Sequence, residues 1–243
     1  MQVNALVSRP AKWLLAKRNL AVVRQNDPSA GFAFVCSTVA KLGINLVVDV
    51  GAHVGQTGKE LRRQGYAGRI VSFEPQWEAF LELQSAAAHD ANWECKHLAL
   101  GAEAGTMPLH ISGFSPSSSL LLMKRTHHAV WPGSETIRTE PVPVMPLDEL
   151  AEELNVRGSR TLLKIDTQGY ESQVLAGAMA TLPSMQAAYV ELLFAPLYDR
   201  QAKYYSVMET LEAAGLQFAG LIGPFVNPSS GYVLYGDGLF IRR

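Results

Sequence analysis

The feature that most constrains this chain is a short apolar run that ends in a glycine loop. Leu46-Val47-Val48-Asp49-Val50 is followed at once by Gly51-Ala52-His53-Val54-Gly55, and Gly55–Gln64 reads as a helix. A Val-rich run of this length is typical of a parallel strand covered on both faces. Glycines just beyond it let the backbone turn sharply and approach a ligand closely. The alternation then continues, with a strand at Arg69–Phe73, a helix at Gln76–His89 and a third strand at Cys95–Leu100. Thr161–Ile165 and Ala188–Leu193 are two more buried strands, separated by a helix from about Tyr170 to Leu182. A helix at Gln201–Ala214 precedes strands at Leu216–Ile222 and Tyr232–Ile241, which close the chain as a hairpin. Strands alternating with helices predict βαβ units, hence an α/β fold with a largely parallel sheet. Ligands of such sheets bind beyond the C-terminal strand ends, where the strand order switches.

The chain's 243 residues suffice for one or two domains and a sizeable core. Lys plus Arg is 21 and Asp plus Glu is 22, a formal net charge of −1. That balance weighs against a nucleic-acid partner or an acidic membrane surface, both of which select basic proteins. Cys36 and Cys95 form no ligand cluster, which argues against a disulfide scaffold or a zinc module. Arg9, Lys12, Lys17 and Arg18 interrupt the N-terminal apolar residues, so no secretory peptide is expected. No run approaches the roughly 18 apolar residues of a spanning helix, and the expectation is a soluble cytoplasmic protein without an integral membrane segment.

Residues 1–43 read as a helical extension and residues 44–243 as one domain. Pro10–Gln25 is a basic amphipathic stretch, read as a helix packed on the main domain, or as a lid, a dimer arm or a membrane-surface contact. Asn26-Asp27-Pro28 signals the start of a helix running to Lys41, with Gly43 as its C-cap. Thr106–Met145 breaks the strand–helix rhythm with a Ser-rich turn at Ser115–Ser119, then His127, His128 and Trp131, then several prolines. It is expected to be a flap over residues 106–146 carrying strands near Met107–Ile111 and Ile137–Val144. A homo-oligomer is compatible with the sequence.

The glycine spacing is G-x-x-x-G, with Asp49 two residues ahead of Gly51, not the G-x-G-x-x-G of dinucleotide binders. It resembles motif I of S-adenosylmethionine-dependent methyltransferases, a resemblance that implies cofactor contacts from Asp49, Gly51, Ala52, His53 and Gly55. Glu74, with Pro75 after it, ends the second strand 23 positions beyond Gly51. A carboxylate there can accept both hydroxyls of a ribose, which suits S-adenosylmethionine or NAD equally. An NAD-dependent oxidoreductase and a noncatalytic binding module therefore stay open at this point. On the next tip, Asp166 follows the strand Thr161–Ile165 and faces the same crevice. Lys164 is flanked by apolar residues and needs a partner, which Glu171, Glu191 or Asp166 could supply. Glu191 is a charge inside a strand that should be central, which points to substrate binding.

Together these segments resemble the FkbM family of methyltransferases. The residues that carry the likeness are Asp49–Gly55, Phe73-Glu74-Pro75, Leu147-Asp148-Glu149-Leu150, the block from Lys164 to Glu171 with Leu175-Ala176-Gly177-Ala178, and Val190-Glu191. Gly236-Asp237-Gly238-Leu239-Phe240 is similar to the family's last strand, and the first forty residues carry none of the likeness. The resemblance implies a class I methyltransferase, Rossmann-like: a mostly parallel seven-stranded sheet with a C-terminal antiparallel hairpin and helices on both faces. It also implies O-methylation of a hydroxylated small molecule such as a sugar or polyketide. Gln168 departs from the Glu usual in the family, and an amide can act neither as a base nor as a strong metal ligand.

An alcohol needs help losing its proton, which a carboxylate or His supplies as general base. Asp166 is the first candidate, followed by His127 or His128. Asp166 with Glu191 could instead hold a divalent metal that acidifies the hydroxyl, and the metal is left unassigned. Gln168, Glu191 and Ser119 are the candidate substrate contacts.

Overall fold

The computed structural model describes residues 28–242. The stretch Pro10–Gln25 therefore lies outside the described residues. Helix α1 (Pro28–Lys41) ends as expected, with Gly43 in the left-handed region at φ +60°. Then follow β1 (Leu46–Val50), α2 (Gln56–Arg63), β2 (Arg69–Phe73), α3 (Trp77–Ala87) and β3 (Trp93–Lys96). The insertion contributes β4 (Ala99–Leu100), β5 (Gly105–Ser112), a 3-10 turn at Ser115–Ser117, α4 (Arg125–Val130) and β6 (Thr136–Met145). The second half holds α5 (Leu147–Leu150), β7 (Thr161–Ile165), α6 (Glu171–Ala176) and β8 (Ala187–Leu193). It closes with α7 (Tyr204–Ala213), β9 (Leu216–Val226) and β10 (Val233–Arg242).

Seven strands form one sheet in the order β3-β2-β1-β7-β8-β10-β9. All neighbours are parallel except β10, which runs antiparallel to both β8 and β9. Side chains of a strand alternate between faces, so β1 feeds two cores at once. Leu46, Val48 and Val50 join Phe73, Leu163, Ile165 and Phe240 on one face. Val47 joins Ile70, Leu162 and Leu239 on the other, under Val35 and Val39 of α1 and Phe80 and Leu83 of α3. The order turns at β1–β7, since the chain walks outward from β1 to β3 and then returns to β7. The tips of β1, β2 and β7 therefore border a crevice.

The expected third strand is split. Trp93–Lys96 pairs with β2, whereas Ala99–Leu100 leaves the main sheet and pairs with β6, in a second sheet of order β4-β6-β5. The insertion is thus built on an antiparallel pair, Gly105–Ser112 against Thr136–Met145. The helix expected from Tyr170 to Leu182 is only Glu171–Ala176. Gly177 follows it so closely under the chain that a Cβ there would lie 1.9 Å from the Gly101 carbonyl oxygen. Asp148 then fastens the next turn, donating its N–H to Gly177 and accepting the Ala180 N–H at 2.9 Å. The Leu147–Leu150 and Leu175–Ala178 motifs are therefore two halves of one structural clasp. No helix among the described residues is long and apolar enough to cross a membrane.

Candidate active site

A cavity of about 420 Å³ opens at the crevice between the strand tips and the insertion. Its floor begins with Gly51, whose backbone is left-handed at φ +72°. A Cβ at this position would fall 1.9 Å from the carbonyl oxygen of Asp166, so only glycine lets the β1 loop meet the β7 tip. Gly55 is also left-handed, at φ +83°, and faces Leu83 and Trp93 rather than the cavity.

Glu74 leaves the tip of β2 and is almost completely buried, yet it lines the cavity. One carboxylate oxygen accepts the His53 N–H at 2.7 Å and the other the Gln76 N–H at 2.8 Å. Burial outweighs these two bonds and pushes the carboxyl up to about 7. The His53 ring bonds Ser115 Oγ at 2.9 Å and Gln56 at 3.0 Å, and Ser115 Oγ donates to Gln76 Oε1 at 2.9 Å. Ser115 thereby ties the insertion down over the β1 and β2 loops. Ala52 and Pro75 complete this end of the cavity.

Beneath the floor runs a row of polar residues in register across four strands: Ser72, Asp49, Lys164 and Tyr189. Asp49 is fully buried and does not line the cavity. It accepts the Ser72 hydroxyl at 3.0 Å, and Ser72 in turn accepts the Trp93 indole N–H at 3.0 Å. Lys164 Nζ lies 3.1 Å from Asp49 Oδ1 and donates to the Gly51 carbonyl at 2.8 Å. Asp49 is thus the ion-pair partner of Lys164, in place of the three acids expected from sequence. Burial alone would lower the lysine's pKa, but the charges of Asp49 and Asp166 outweigh it and hold it above its ordinary value. Glu171 is spent on its own loop, accepting N–H bonds from Thr167 and Gly169 at 3.0 Å each.

At the other end of the cavity stand Asp166, Glu191 and Asp237. Gln168 joins the first two, donating from Nε2 to Asp166 at 2.8 Å and to Glu191 at 3.1 Å. Its own carbonyl accepts the Tyr198 hydroxyl at 2.7 Å. Burial and the neighbouring charges of Asp166 and Glu171 raise Glu191 well above the carboxylate range. Asp237, opposite Glu191 on β10, accepts the Tyr189 hydroxyl at 2.6 Å and is pushed up to about 6, chiefly by burial. Asp237, Gln76 and Tyr235 were not singled out as site residues from sequence. In the sequence, Asp237 is marked by a charge between two glycines in the segment similar to the family's last strand.

The two histidines stand apart. His127 is 2% exposed, and burial pushes its imidazole down to about 4, so it is neutral at ordinary pH. Its ring nitrogens face Ser134 Oγ at 2.9 Å and Tyr198 Oη at 3.3 Å. His128 bonds the same serine at 3.2 Å and does not line the cavity. Ser119 lines the cavity, but its hydroxyl already donates to the main-chain carbonyl of Gln168 at 2.8 Å and accepts the Leu121 N–H at 3.0 Å. Among the described residues no group of three His, Cys, Asp or Glu side chains is arranged to hold a metal ion.

The sequence profile described as "Methyltransferase FkbM domain" matches residues 49–218. No curated protein matches the chain. Among solved structures, Aeropyrum pernix fibrillarin with natively bound S-adenosyl-L-methionine is 12% identical, at a TM-score of 0.43, over 82% of this chain and 66% of its own. The methyltransferase domain of bacterial CtHen1-C is 8% identical, at a TM-score of 0.49, over 88% of this chain and 97% of its own. Burkholderia thailandensis 1,6-didemethyltoxoflavin-N1-methyltransferase, with bound 1,6-didemethyltoxoflavin and S-adenosylhomocysteine, is 13% identical at a TM-score of 0.41, over 88% of this chain and 79% of its own. The fold itself stands on the strand order described above.

Proposed function

The chain belongs to the FkbM family of methyltransferase domains, and on that premise we propose that it uses S-adenosylmethionine to O-methylate a hydroxyl of a small molecule of sugar or polyketide type. The observation that carries the cofactor reading is Glu74. Each of its oxygens accepts one main-chain N–H, and a carboxylate has about four acceptor positions, so two remain for ribose hydroxyls. Gly51, Ala52 and His53 line the same wall of the cavity. When bound there, S-adenosylmethionine supplies a methyl group already activated on a sulfonium.

The protein's own work is then to hold a hydroxyl in line, keep water out and accept a proton. Positioning is the larger part of the rate in such a reaction. Asp166 is the base this reading favours, since it lines the cavity and one of its oxygens is oriented by Gln168. His127 and His128 are less suited, the first being engaged at both nitrogens and the second lying off the cavity. The insertion roofs the cavity through Ser115 and Ser119, which favours a small acceptor over a polymer. Glu74 would suit NAD as well, but the family and the G-x-x-x-G spacing favour methyl transfer. Incubation with labelled S-adenosylmethionine and a panel of hydroxylated metabolites tests the reading. Label transferred to an oxygen supports it; stabilisation by NADH with none by S-adenosylhomocysteine overturns it.

A further inference from the structure

A second, smaller chamber of about 100 Å³ adjoins the acceptor end of the main cavity, and the two share Phe114, Gln168, Glu191 and Tyr235 as lining. Room of that order holds about three water-sized groups. Trp131 and His127 complete an aromatic wall, with ring centroids 4.7 Å apart, and Tyr235 lies 6.0 Å from Trp131. Phe225 stacks on Tyr235 at 5.2 Å and packs tilted against Trp131 at 5.3 Å, fixing both rings from outside. Among the described residues Glu191 is the single acid lining the chamber, and no Lys or Arg lines it. Lys164, which reaches the main cavity, is already committed to Asp49 and the Gly51 carbonyl.

We propose that this chamber receives a cationic amine carried by the methyl acceptor, so that the acceptor belongs to the class of amino sugars or amino alcohols. The proposal rests on the reading of the main cavity as the methyl-transfer site. A carboxylate walled in by aromatic rings is costly to ionise without a partner. An ammonium group supplies that partner, and the surrounding rings attract the same charge through their π faces. A neutral alkyl group would gain only the apolar contact and leave Glu191 with the Gln168 amide but no counter-charge. The raised affinity of Glu191 for a proton agrees with a site built to share its charge with a ligand.

The test compares two probes of equal shape on protein saturated with S-adenosylhomocysteine: choline, and 3,3-dimethylbutan-1-ol, in which carbon replaces the charged nitrogen. Calorimetry is expected to show choline binding at least about tenfold tighter, a difference of roughly 1.4 kcal/mol. Glu191→Gln should bring the two probes level, and Trp131→Leu should weaken choline several-fold. Equal or tighter binding of the neutral alcohol by the wild type overturns the proposal, as does absence of binding by either probe in the millimolar range. The wild-type comparison needs no variant to fold. Failure of S-adenosylhomocysteine itself to bind overturns instead the methyltransferase reading of the cavity.

Discussion

At the β1–β2 end of the cavity both oxygens of Glu74 accept main-chain N–H groups, whereas at the β7–β8–β10 end Asp166 and Glu191 accept from the Gln168 amide and Asp237 from the Tyr189 hydroxyl. Main-chain donors come from any residue that keeps the loop geometry, so the Glu74 end is insensitive to which side chains surround it. Side-chain donors change with a single substitution. The first arrangement suits a ligand that never varies and the second a ligand that differs from one enzyme to the next. The two ends also differ in reserve. Glu74 has acceptor positions open for two hydroxyls, while Gln168 has spent both N–H groups and its carbonyl within the protein.

Substitutions that act on one end alone would sharpen this division, and any that act on both would break it. The largest expected effect is that of Asp166→Asn, which should lower turnover by about 10²–10⁴-fold while calorimetric affinity for S-adenosylhomocysteine stays within twofold of wild type, or about 0.4 kcal/mol. Loss of cofactor binding in that variant would break the division. Glu74→Ala should do the converse, weakening S-adenosylhomocysteine by roughly 10–100-fold, as expected when hydrogen bonds to a charged acceptor are removed.

The next effect is one of pH. Burial pushes the Glu74 carboxyl up to about 7, and in the proposed cofactor role only its ionised form has acceptor positions free for both ribose hydroxyls. Affinity for S-adenosylhomocysteine should therefore rise about tenfold between about pH 6 and pH 8, with proton release visible as a dependence of binding enthalpy on the buffer. Stability runs the other way. A carboxyl whose folded pKa lies above its unfolded value stabilises the fold fully below the ordinary carboxylate range and loses that contribution as pH rises through about 7. The Tm of the ligand-free protein should fall from about pH 5 to about pH 8, and Glu74→Gln should flatten the fall. The smallest effect is that of Tyr198→Phe, which frees the Gln168 carbonyl. Turnover should drop roughly fivefold, the cost of about one neutral hydrogen bond, with cofactor affinity unchanged.

Most of the sheet was legible because buried parallel strands are continuous apolar runs closed by glycine or a charged tip. Leu46–Val50, Arg69–Phe73 and Thr161–Ile165 have the limits read from sequence. The split of Cys95–Leu100 was not legible, because nothing local tells Trp93–Lys96 to pair with β2 and Ala99–Leu100 with β6. The partner of Lys164 was hidden for the same reason. Asp49 faces it across one strand spacing but lies far away in the chain. Glu74 and Asp166 could be read because strand tips at the switch point are where ligands bind. The withdrawal of Asp49 and Gly55 from the cavity could not, since it depends on the pairing of Asp49 with Ser72 of the neighbouring β2 and on where Trp93 packs.

The contact between Gly51 and the Asp166 carbonyl has a consequence for how such an enzyme can diversify. Two stretches of main chain touch there with no room for a single extra carbon, so the proposed donor and acceptor ends of the cavity are set a fixed distance apart by the polypeptide itself. That spacing cannot be widened by exchanging side chains, and a bulkier acceptor gains nothing from changes at the floor. New acceptors must be accommodated from above, through the insertion and the closing hairpin, whose residues can be exchanged without disturbing the junction below.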